Sequence, residues 1–124
     1  CPSCGQETFP DPEAPGHCWA CGAAQPRAAW LQLPHGRVCA AAGNELQHHH
    51  FDPLASPDLR HPLARLEAHP SDPALLGLKN LSRDAWQGQL SDGRTLVLEP
   101  GKTCNLAALQ QLDSSAGAIL VLRP

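Results

Sequence analysis

A β-hairpin is predicted by the stretch Trp86-Gln-Gly-Gln-Leu90-Ser-Asp-Gly-Arg-Thr95-Leu-Val-Leu98. Asp92-Gly93 is the strongest turn signal in the chain, because both residue types tolerate the positive backbone φ that tight strand-joining turns require. The runs before and after the turn have the usual length of a strand. This stretch therefore predicts two antiparallel strands in the C-terminal half of the chain.

Further short apolar runs predict strands on both sides of this hairpin, separated by turns such as Pro34-His35-Gly36 and Glu99-Pro100-Gly101. The predicted strands are Trp30–Leu33, Arg37–Ala41, Leu63–Glu67, Leu75–Leu81, Trp86–Leu90, Thr95–Leu98 and Ala118–Leu122. Asn105–Leu112 has the leucine spacing of a helix, but two turns are marginal, so we expect loop or strand there. Many short strands separated by turns favour an all-β sandwich or barrel.

Composition and charge exclude several classes of protein. The chain has 124 residues, enough for one ordinary domain and a small module beside it. Nine basic residues against twelve acidic ones argue against a nucleic-acid surface built on bulk charge. The longest apolar stretches, Val38–Ala42 and Ala118–Leu122, are far shorter than the ~20 residues of a membrane span. We expect a cytoplasmic protein, and the excess of arginine over lysine is typical of GC-rich bacterial genomes.

Two Cys-x-x-Cys-Gly turns, Cys1-Pro-Ser-Cys4-Gly5 and Cys18-Trp-Ala-Cys21-Gly22, open the chain. Each turn places two sulfurs about one tetrahedral edge apart, and the glycine after the second cysteine can adopt a positive φ. Two facing turns make a closed site of four thiolates, which suits structural zinc. The arrangement resembles the zinc-ribbon family over roughly the first 25 residues. The predicted metal ligands are Cys1, Cys4, Cys18 and Cys21.

Other uses of these cysteines are a disulfide or redox pair, or an iron site of the rubredoxin type. No βαβ pattern follows either pair, and a rubredoxin has a longer, aromatic-rich loop between its pairs. Residues 1–27 contain three acidic side chains and one basic side chain, so phosphates would be repelled. We therefore expect residues 1–27 to be a zinc ribbon in which the ion is structural. The ribbon itself is expected to contact a protein partner.

Four segments of the remaining chain follow one another in a recognisable order. They are Leu33-Pro-His-Gly36, Gly43-Asn44, Leu63-Ala-Arg-Leu66 and Asn80-Leu-Ser-Arg-Asp-Ala-Trp86. This order resembles the forkhead-associated (FHA) family, and the Asp92-Gly93 turn and the closing run Ala118–Leu122 agree with it. The resemblance covers about Trp30 to Arg123. It implies an FHA-like β-sandwich over residues 28–124, in a family that commonly recognises phosphothreonine peptides.

The resemblance also implies a binding site made by loops at one end of the sandwich. In the family an arginine follows the glycine that ends an early strand, a Ser-x-x-His element opens a later one, and an Asn-Gly-Thr element closes the site. A doubly charged phosphate needs a guanidinium fork, a hydroxyl donor and backbone N–H groups.

This chain departs from that pattern at every element. The arginine position falls on Asn44, or on Arg37 in an earlier turn. The Ser-x-x-His element falls on Asp58-Leu-Arg-His61, with an acid in place of the hydroxyl. The alternative register, Ser82-Arg-Asp-Ala85, keeps the hydroxyl and loses the histidine.

No Asn-Gly-Thr element follows either register; the nearest segments are Asp84-Ala-Trp86 and Asp92-Gly93-Arg94-Thr95, and each begins with an acid. The departures predict a degenerate FHA domain. A relocated basic cluster of Arg37, Arg60, Arg65 and Arg83 is the alternative. The candidate partner-binding residues are Arg37, Asn44, Asp58, Arg60, His61, Ser82, Arg83 and Asp84.

Three other groups of residues could have a chemical role, but we expect a structural role for each of them. His48-His49-His50 lies near Asp52, but consecutive side chains of an extended chain alternate between faces, so we expect a solvated loop. Cys39 and Cys104 are expected to be buried free thiols. Trp30 and Trp86 are expected to pack in or at the rim of the core.

Three functions follow from these features. The first is a non-catalytic adaptor or assembly subunit, in which the sandwich and the ribbon contact a protein partner without phosphate. The second is phosphothreonine-dependent peptide recognition downstream of a Ser/Thr kinase, with Arg37, Arg60 or Arg83 supplying the guanidinium. The third is a thiol redox enzyme that uses a Cys-x-x-Cys pair. We expect the first, with no enzymatic activity, no nucleic acid and no membrane among its partners.

Overall fold

The computed structural model describes residues 1, 3–7, 16–24 and 29–123. Within them the chain forms ten β-strands and one short helix, α1 (His48–Phe51). The strands are β1 (Trp30–Leu33), β2 (Gly36–Cys39), β3 (Glu45–Leu46), β4 (Ala64–Ala68), β5 (Leu76–Asn80), β6 (Trp86–Leu90), β7 (Thr95–Leu98), β8 (Thr103–Asn105), β9 (Leu109–Ser114) and β10 (Gly117–Leu122).

The strands form two antiparallel sheets. Six strands make the first sheet, in the spatial order β2-β1-β10-β9-β6-β7, and four make the second, in the order β3-β4-β5-β8. The first strand of the sandwich pairs with the last, with Leu31 opposite Val121. The predicted all-β class and sandwich architecture are confirmed.

One hydrophobic core joins the two sheets. Strands such as β1 point alternate residues inward, so that Leu31 and Leu33 are buried while their neighbours are half-buried. The inward leucines of the four-stranded sheet, such as Leu66 and Leu78, belong to the same cluster as Trp86 and the inward residues of the six-stranded sheet. The two faces therefore pack against each other.

The hairpin between β6 and β7 closes as its sequence predicts. The Leu90 N–H donates to the Arg94 carbonyl at 2.8 Å, and Gly93 adopts a φ of 88° in the turn. On β6, a Cβ added at Gly88 would lie 2.8 Å from Leu112 Cδ2. The strand therefore needs glycine at this position, because the side chain of Leu112, which is paired opposite Gly88 on the adjacent strand β9, occupies that space.

Three predicted strands have the observed bounds, Trp30–Leu33, Trp86–Leu90 and Thr95–Leu98. The others differ by one or two residues at an end, and Asn105–Leu112 proves to be the end of β8, a turn and the start of β9. The prediction missed β3 and β8, which have two and three residues and depend on pairing with distant strands. No helix within the described residues is long and apolar enough to cross a membrane.

Candidate metal centre and loop end

The four predicted metal ligands come together. The sulfur atoms of Cys1, Cys4, Cys18 and Cys21 all lie within 4.8 Å of one another. The Sγ atoms of Cys1 and Cys21 are 3.7 Å apart, and those of Cys4 and Cys18 are 3.6 Å apart. Sulfurs bound to one tetrahedral zinc at about 2.3 Å lie about 3.8 Å from each other. The cluster has the size of a four-thiolate metal site.

Each Cys-x-x-Cys turn is closed by the glycine that follows it. The Gly5 N–H donates to the Cys1 carbonyl at 2.9 Å, and the Gly22 N–H donates to the Cys18 carbonyl at 2.7 Å. The φ angles of these glycines are 74° and 72°, in the left-handed region that side chains with a Cβ rarely adopt. The repeated glycine of the sequence therefore has a local backbone reason.

The thiols perturb one another. The pKa of Cys18 falls to about 7, mainly because the backbone N–H of Cys21 donates to its sulfur. The pKa of Cys4 is raised: the Gln6 N–H lowers it, but the Cys21 and Cys18 thiols and desolvation raise it more. Because four thiolates this close would repel one another, a cation is needed to hold all of them deprotonated.

All six cysteines of the chain are free thiols in this structure, so no disulfide links the two turns. Residues 2, 8–15 and 25–28 lie outside the described residues, and the predicted boundary between residues 27 and 28 falls among them.

The Trp19 side chain in the second turn is 74% exposed, and its indole N–H donates to the Glu7 carbonyl at 3.3 Å.

A second group of candidate residues lies where β4 begins and β5 ends. These two strands pair with Ala64 opposite Asn80, and the Leu81 N–H donates to the Leu63 carbonyl at 2.9 Å. The loop before β4 and the loop after β5 therefore meet at one end of the sandwich. We call this region the loop end and define it as residues 52–63 and 81–85.

Asp58 and His61 form a pair within the loop end. The His61 Nδ1 lies 2.8 Å from Asp58 Oδ2, and the Arg60 N–H donates to Asp58 Oδ1 at 3.1 Å. The pKa of the Asp58 carboxyl lies below its ordinary value, first because of the His61 hydrogen bond and then because of the Arg60 N–H. Asp58 is therefore an anion at neutral pH, and both of its oxygens already accept a hydrogen bond.

Ser82 and Asp84 are held by a buried amide that sequence analysis did not single out, Asn80. The Asn80 Nδ2 donates to the carbonyls of Asp84 and Leu98 at 2.8 and 2.9 Å. The Asn80 Oδ1 accepts from the Ser82 N–H and hydroxyl at 2.9 and 2.7 Å. An Asn-x-Ser sequence at a strand end is the signal that was available, because asparagine often bonds the backbone two residues ahead.

Arg37 and Asn44 have other partners. The Arg37 Nε donates to Gln32 Oε1 at 2.7 Å across the β1–β2 pair, and the Asn44 Nδ2 donates to the Cys39 carbonyl at 2.9 Å. Among the described residues, no hydrogen bond or ion pair joins either side chain to Asp58. Neither candidate for the family's arginine position therefore supports the Asp58 segment directly.

Arg60 and Arg83 are the exposed cations of the loop end. Within the described part of the chain, neither guanidinium has a hydrogen-bond or ion-pair partner. Arg65, the remaining member of the alternative basic cluster, instead pairs with Glu45, from Nη2 to Oε2 at 2.9 Å, on the outer side of the four-stranded sheet.

Two leucines of the loop end are strongly exposed and were not predicted as functional. The Leu54 side chain is 93% exposed and that of Leu59 is 72% exposed. Asp52 and Asp58 fix the backbone near them, since each carboxylate accepts the N–H of the residue two positions ahead. The loop therefore holds its apolar side chains in solvent with an ordered backbone.

The prediction of a solvated loop at His48–His50 is wrong. These residues form most of α1, in which the His49 and His50 side chains are half-buried and the His50 Nδ1 accepts the Gln47 N–H at 2.9 Å. Burial and then the His49 charge lower the pKa of His50. Phe51 explains the helix, because its packing in the core draws the preceding turn inward.

The remaining predictions concern buried groups. Trp86 lies in the core with 1% of its surface exposed. Cys39 and Cys104 are half-buried free thiols. Burial raises the pKa of Cys39 and raises that of Cys104 to about 11, so both are poorly reactive near neutral pH.

The chain matches no protein-family model, no curated protein and no solved structure.

Proposed function

We propose that this chain is a non-catalytic protein-interaction module, an FHA-like sandwich whose loop end binds a protein partner without phosphate. The observation that carries the proposal is the Asp58 carboxylate, which in one of the two registers falls at the position that the FHA resemblance gives to a phosphate-binding hydroxyl. Its lowered pKa keeps it negative at neutral pH, and a phosphate placed there meets a like charge.

The alternative hydroxyl is not free either. The Ser82 hydroxyl donates to Asn80 Oδ1 at 2.7 Å, and its oxygen accepts the Asp84 N–H at 3.3 Å. Binding a phosphate through this hydroxyl would break a contact that holds the loop. The loss would offset much of the gain from the new hydrogen bond.

The exposed leucines support a partner with an apolar pocket. Leu54 and Leu59 belong to one loop and are among the most exposed large apolar side chains described in the chain. Apolar side chains held by an ordered loop can enter a partner's pocket with little loss of backbone entropy. Arg60, which follows Leu59 in the chain, and Arg83, in the other loop of the loop end, favour carboxylates at the rim of that pocket.

The test is fluorescence anisotropy with degenerate peptide libraries, prepared in phosphothreonine and in threonine form at the same ionic strength. We expect the two forms to bind with affinities within about threefold of each other. A preference of a hundredfold or more for the phosphorylated form would refute the proposal.

Phosphothreonine recognition is the second candidate function, and the unpaired guanidiniums of Arg60 and Arg83 favour it. If they bind the phosphate, Arg60→Ala or Arg83→Ala should each weaken binding of phosphopeptides about tenfold and leave binding of plain peptides unchanged. Arg94→Ala is the matched control, because Arg94 lies at the other end of β6 and pairs with Asp92 at 2.7 Å.

We further infer that the four N-terminal cysteines hold a structural zinc ion. The sulfur spacings and the closed set of four thiolates support zinc, and iron is the alternative for the same ligands. Elemental analysis should find about one zinc per chain. Cys4→Ser should abolish tight metal binding, whereas Cys39→Ser, which changes a cysteine outside the cluster, should not. Unchanged metal content in the Cys4 variant, or iron in place of zinc, would refute this assignment.

A further inference from the structure

The strand β7 has one unpaired edge. It is the outermost strand of the six-stranded sheet and pairs with β6 alone. The Leu90–Arg94 hydrogen bond sets the alternation along the hairpin, so Leu96 and Leu98 direct their backbone groups toward β6. Thr95 and Val97 direct their N–H and carbonyl groups outward, and no described strand lies on that side.

This edge lacks the features that usually prevent strand-to-strand association. Its sequence, Thr-Leu-Val-Leu, contains no charge and no proline, and its pairing with β6 has no bulge. The Val97 side chain is 58% exposed. The other sheet edges are protected better, because β2 carries Arg37 and because β3 and β8 have only two and three residues.

The edge is complementary to itself in an antiparallel register. A two-fold axis through Leu96 sets Thr95 of one copy opposite Val97 of the second copy, and the reverse. Both residues then use their outward backbone groups, which gives four N–H···O bonds. The exposed side chains that meet are a threonine and a valine, a favourable β-branched cross-strand pair.

Charges at the two ends of β7 favour the same orientation. Arg94 precedes the strand and Glu99 follows it, and both are exposed. Antiparallel pairing brings Arg94 of one copy within one residue of Glu99 of the second copy, at both ends of the interface. The Arg94 Nε is bonded to Asp92, but its two terminal nitrogens remain available.

We propose that two copies of this chain associate through antiparallel pairing of β7, which joins their six-stranded sheets into one. The inference is independent of the proposed function, although a dimer would present two loop ends to a partner. An interface of this length is small, so the dimer is of the weak, concentration-dependent kind.

Sedimentation velocity of the full chain from about 5 to 500 µM is the test. The mass should rise with concentration from 13.2 kDa toward twice that value. Val97→Pro should weaken association about tenfold or more, because it removes one outward N–H from each copy. The fold should tolerate it, since proline is accepted on an edge whose N–H faces solvent. Gln89→Lys, on the neighbouring strand β6, is the control and should associate like the wild type.

A wild-type mass that stays at the monomer value up to 500 µM would overturn the proposal. Equal association of the Val97→Pro variant would also overturn it. Loss of association in the Gln89→Lys variant would indicate stacking of sheet faces and would exclude edge pairing. If Val97→Pro fails to fold, hydrogen exchange of the wild type decides, since the Thr95 and Val97 amides must become protected as concentration increases.

Discussion

Asn80→Ala should destabilise the sandwich severely, although Asn80 is a polar residue at the end of a strand. The Asn80 side chain is fully buried and makes four hydrogen bonds of 2.7 to 2.9 Å, two as donor and two as acceptor. Each such bond contributes about 0.5–1.5 kcal/mol net, and its loss leaves a partner unsatisfied. The variant should lose about 3–5 kcal/mol of unfolding free energy, a large share of a typical domain's 5–15 kcal/mol.

Urea unfolding followed by tryptophan fluorescence measures this loss, because Trp86 lies in the core. Asn105→Ala is the control, since Asn105 is exposed and its side chain accepts a single hydrogen bond from Ala107. We expect the control to cost less than about 1 kcal/mol. A loss of under 1 kcal/mol in Asn80→Ala would refute the view that this amide organises the loop end.

Asn80→Asp tests the same hydrogen bonds through the pH dependence of the variant's stability. The new carboxylate would face the carbonyl oxygens of Asp84 and Leu98 where an amide now donates to both. Burial and these oxygens would raise its folded pKa above the unfolded value of about 3.9. The penalty is therefore full at neutral pH and shrinks as pH falls through the raised pKa, when the carboxyl can donate again. The stability deficit relative to wild type should narrow between pH 7 and pH 4.

Three further predictions test single contacts. Gly88→Ala should cost about 1–3 kcal/mol, because its Cβ would lie 2.8 Å from a core leucine, whereas Gly36→Ala meets nothing within 4 Å and should be nearly neutral by the same unfolding assay. His61→Ala should raise the NMR titration midpoint of the Asp58 carboxyl toward its ordinary value, because His61 is the largest cause of the lowered pKa; an unchanged midpoint would contradict the pairing. Alkylation of Cys104, with its pKa of about 11, should accelerate about tenfold per pH unit up to pH 10, and a plateau near pH 8 would be inconsistent with this burial.

The features that could be predicted from the sequence are local. A Cys-x-x-Cys-Gly turn contains its own geometry, and the four sulfurs meet as predicted. The β6–β7 hairpin is set by a turn of four residues between strands that are adjacent in the chain. Within each cysteine turn and within the hairpin the interacting residues are close in the chain, so a local pattern specifies them. The two cysteine turns are fourteen to twenty positions apart, and their meeting could be predicted because the motif is repeated and four thiolates complete one tetrahedral site.

The features that could not be predicted depend on distant partners. The strand β3 has two residues and exists because Glu45 pairs with Arg65, twenty positions later. α1 forms where Phe51 enters the core, which no property of three consecutive histidines indicates. The role of Asn80 depends on carbonyls of Asp84 and Leu98, which only the folded chain brings together. Short elements and buried polar networks of this kind follow from tertiary contacts and not from periodicity.

We expect the two parts of the chain to be stabilised by different means. Every described residue of the hydrophobic core cluster lies between Leu31 and Val121, and none belongs to the cysteine turns. In the described part of the N-terminal segment, Cys18 is the one buried apolar residue, and its sulfur belongs to the group of four cysteine sulfurs. Apolar burial among the described residues therefore contributes little to this segment, and the metal coordination that we propose would stabilise it instead. Chelation should release the N-terminal turns while the sandwich keeps its cooperative unfolding, and a simultaneous loss of both would show that the sandwich depends on the metal.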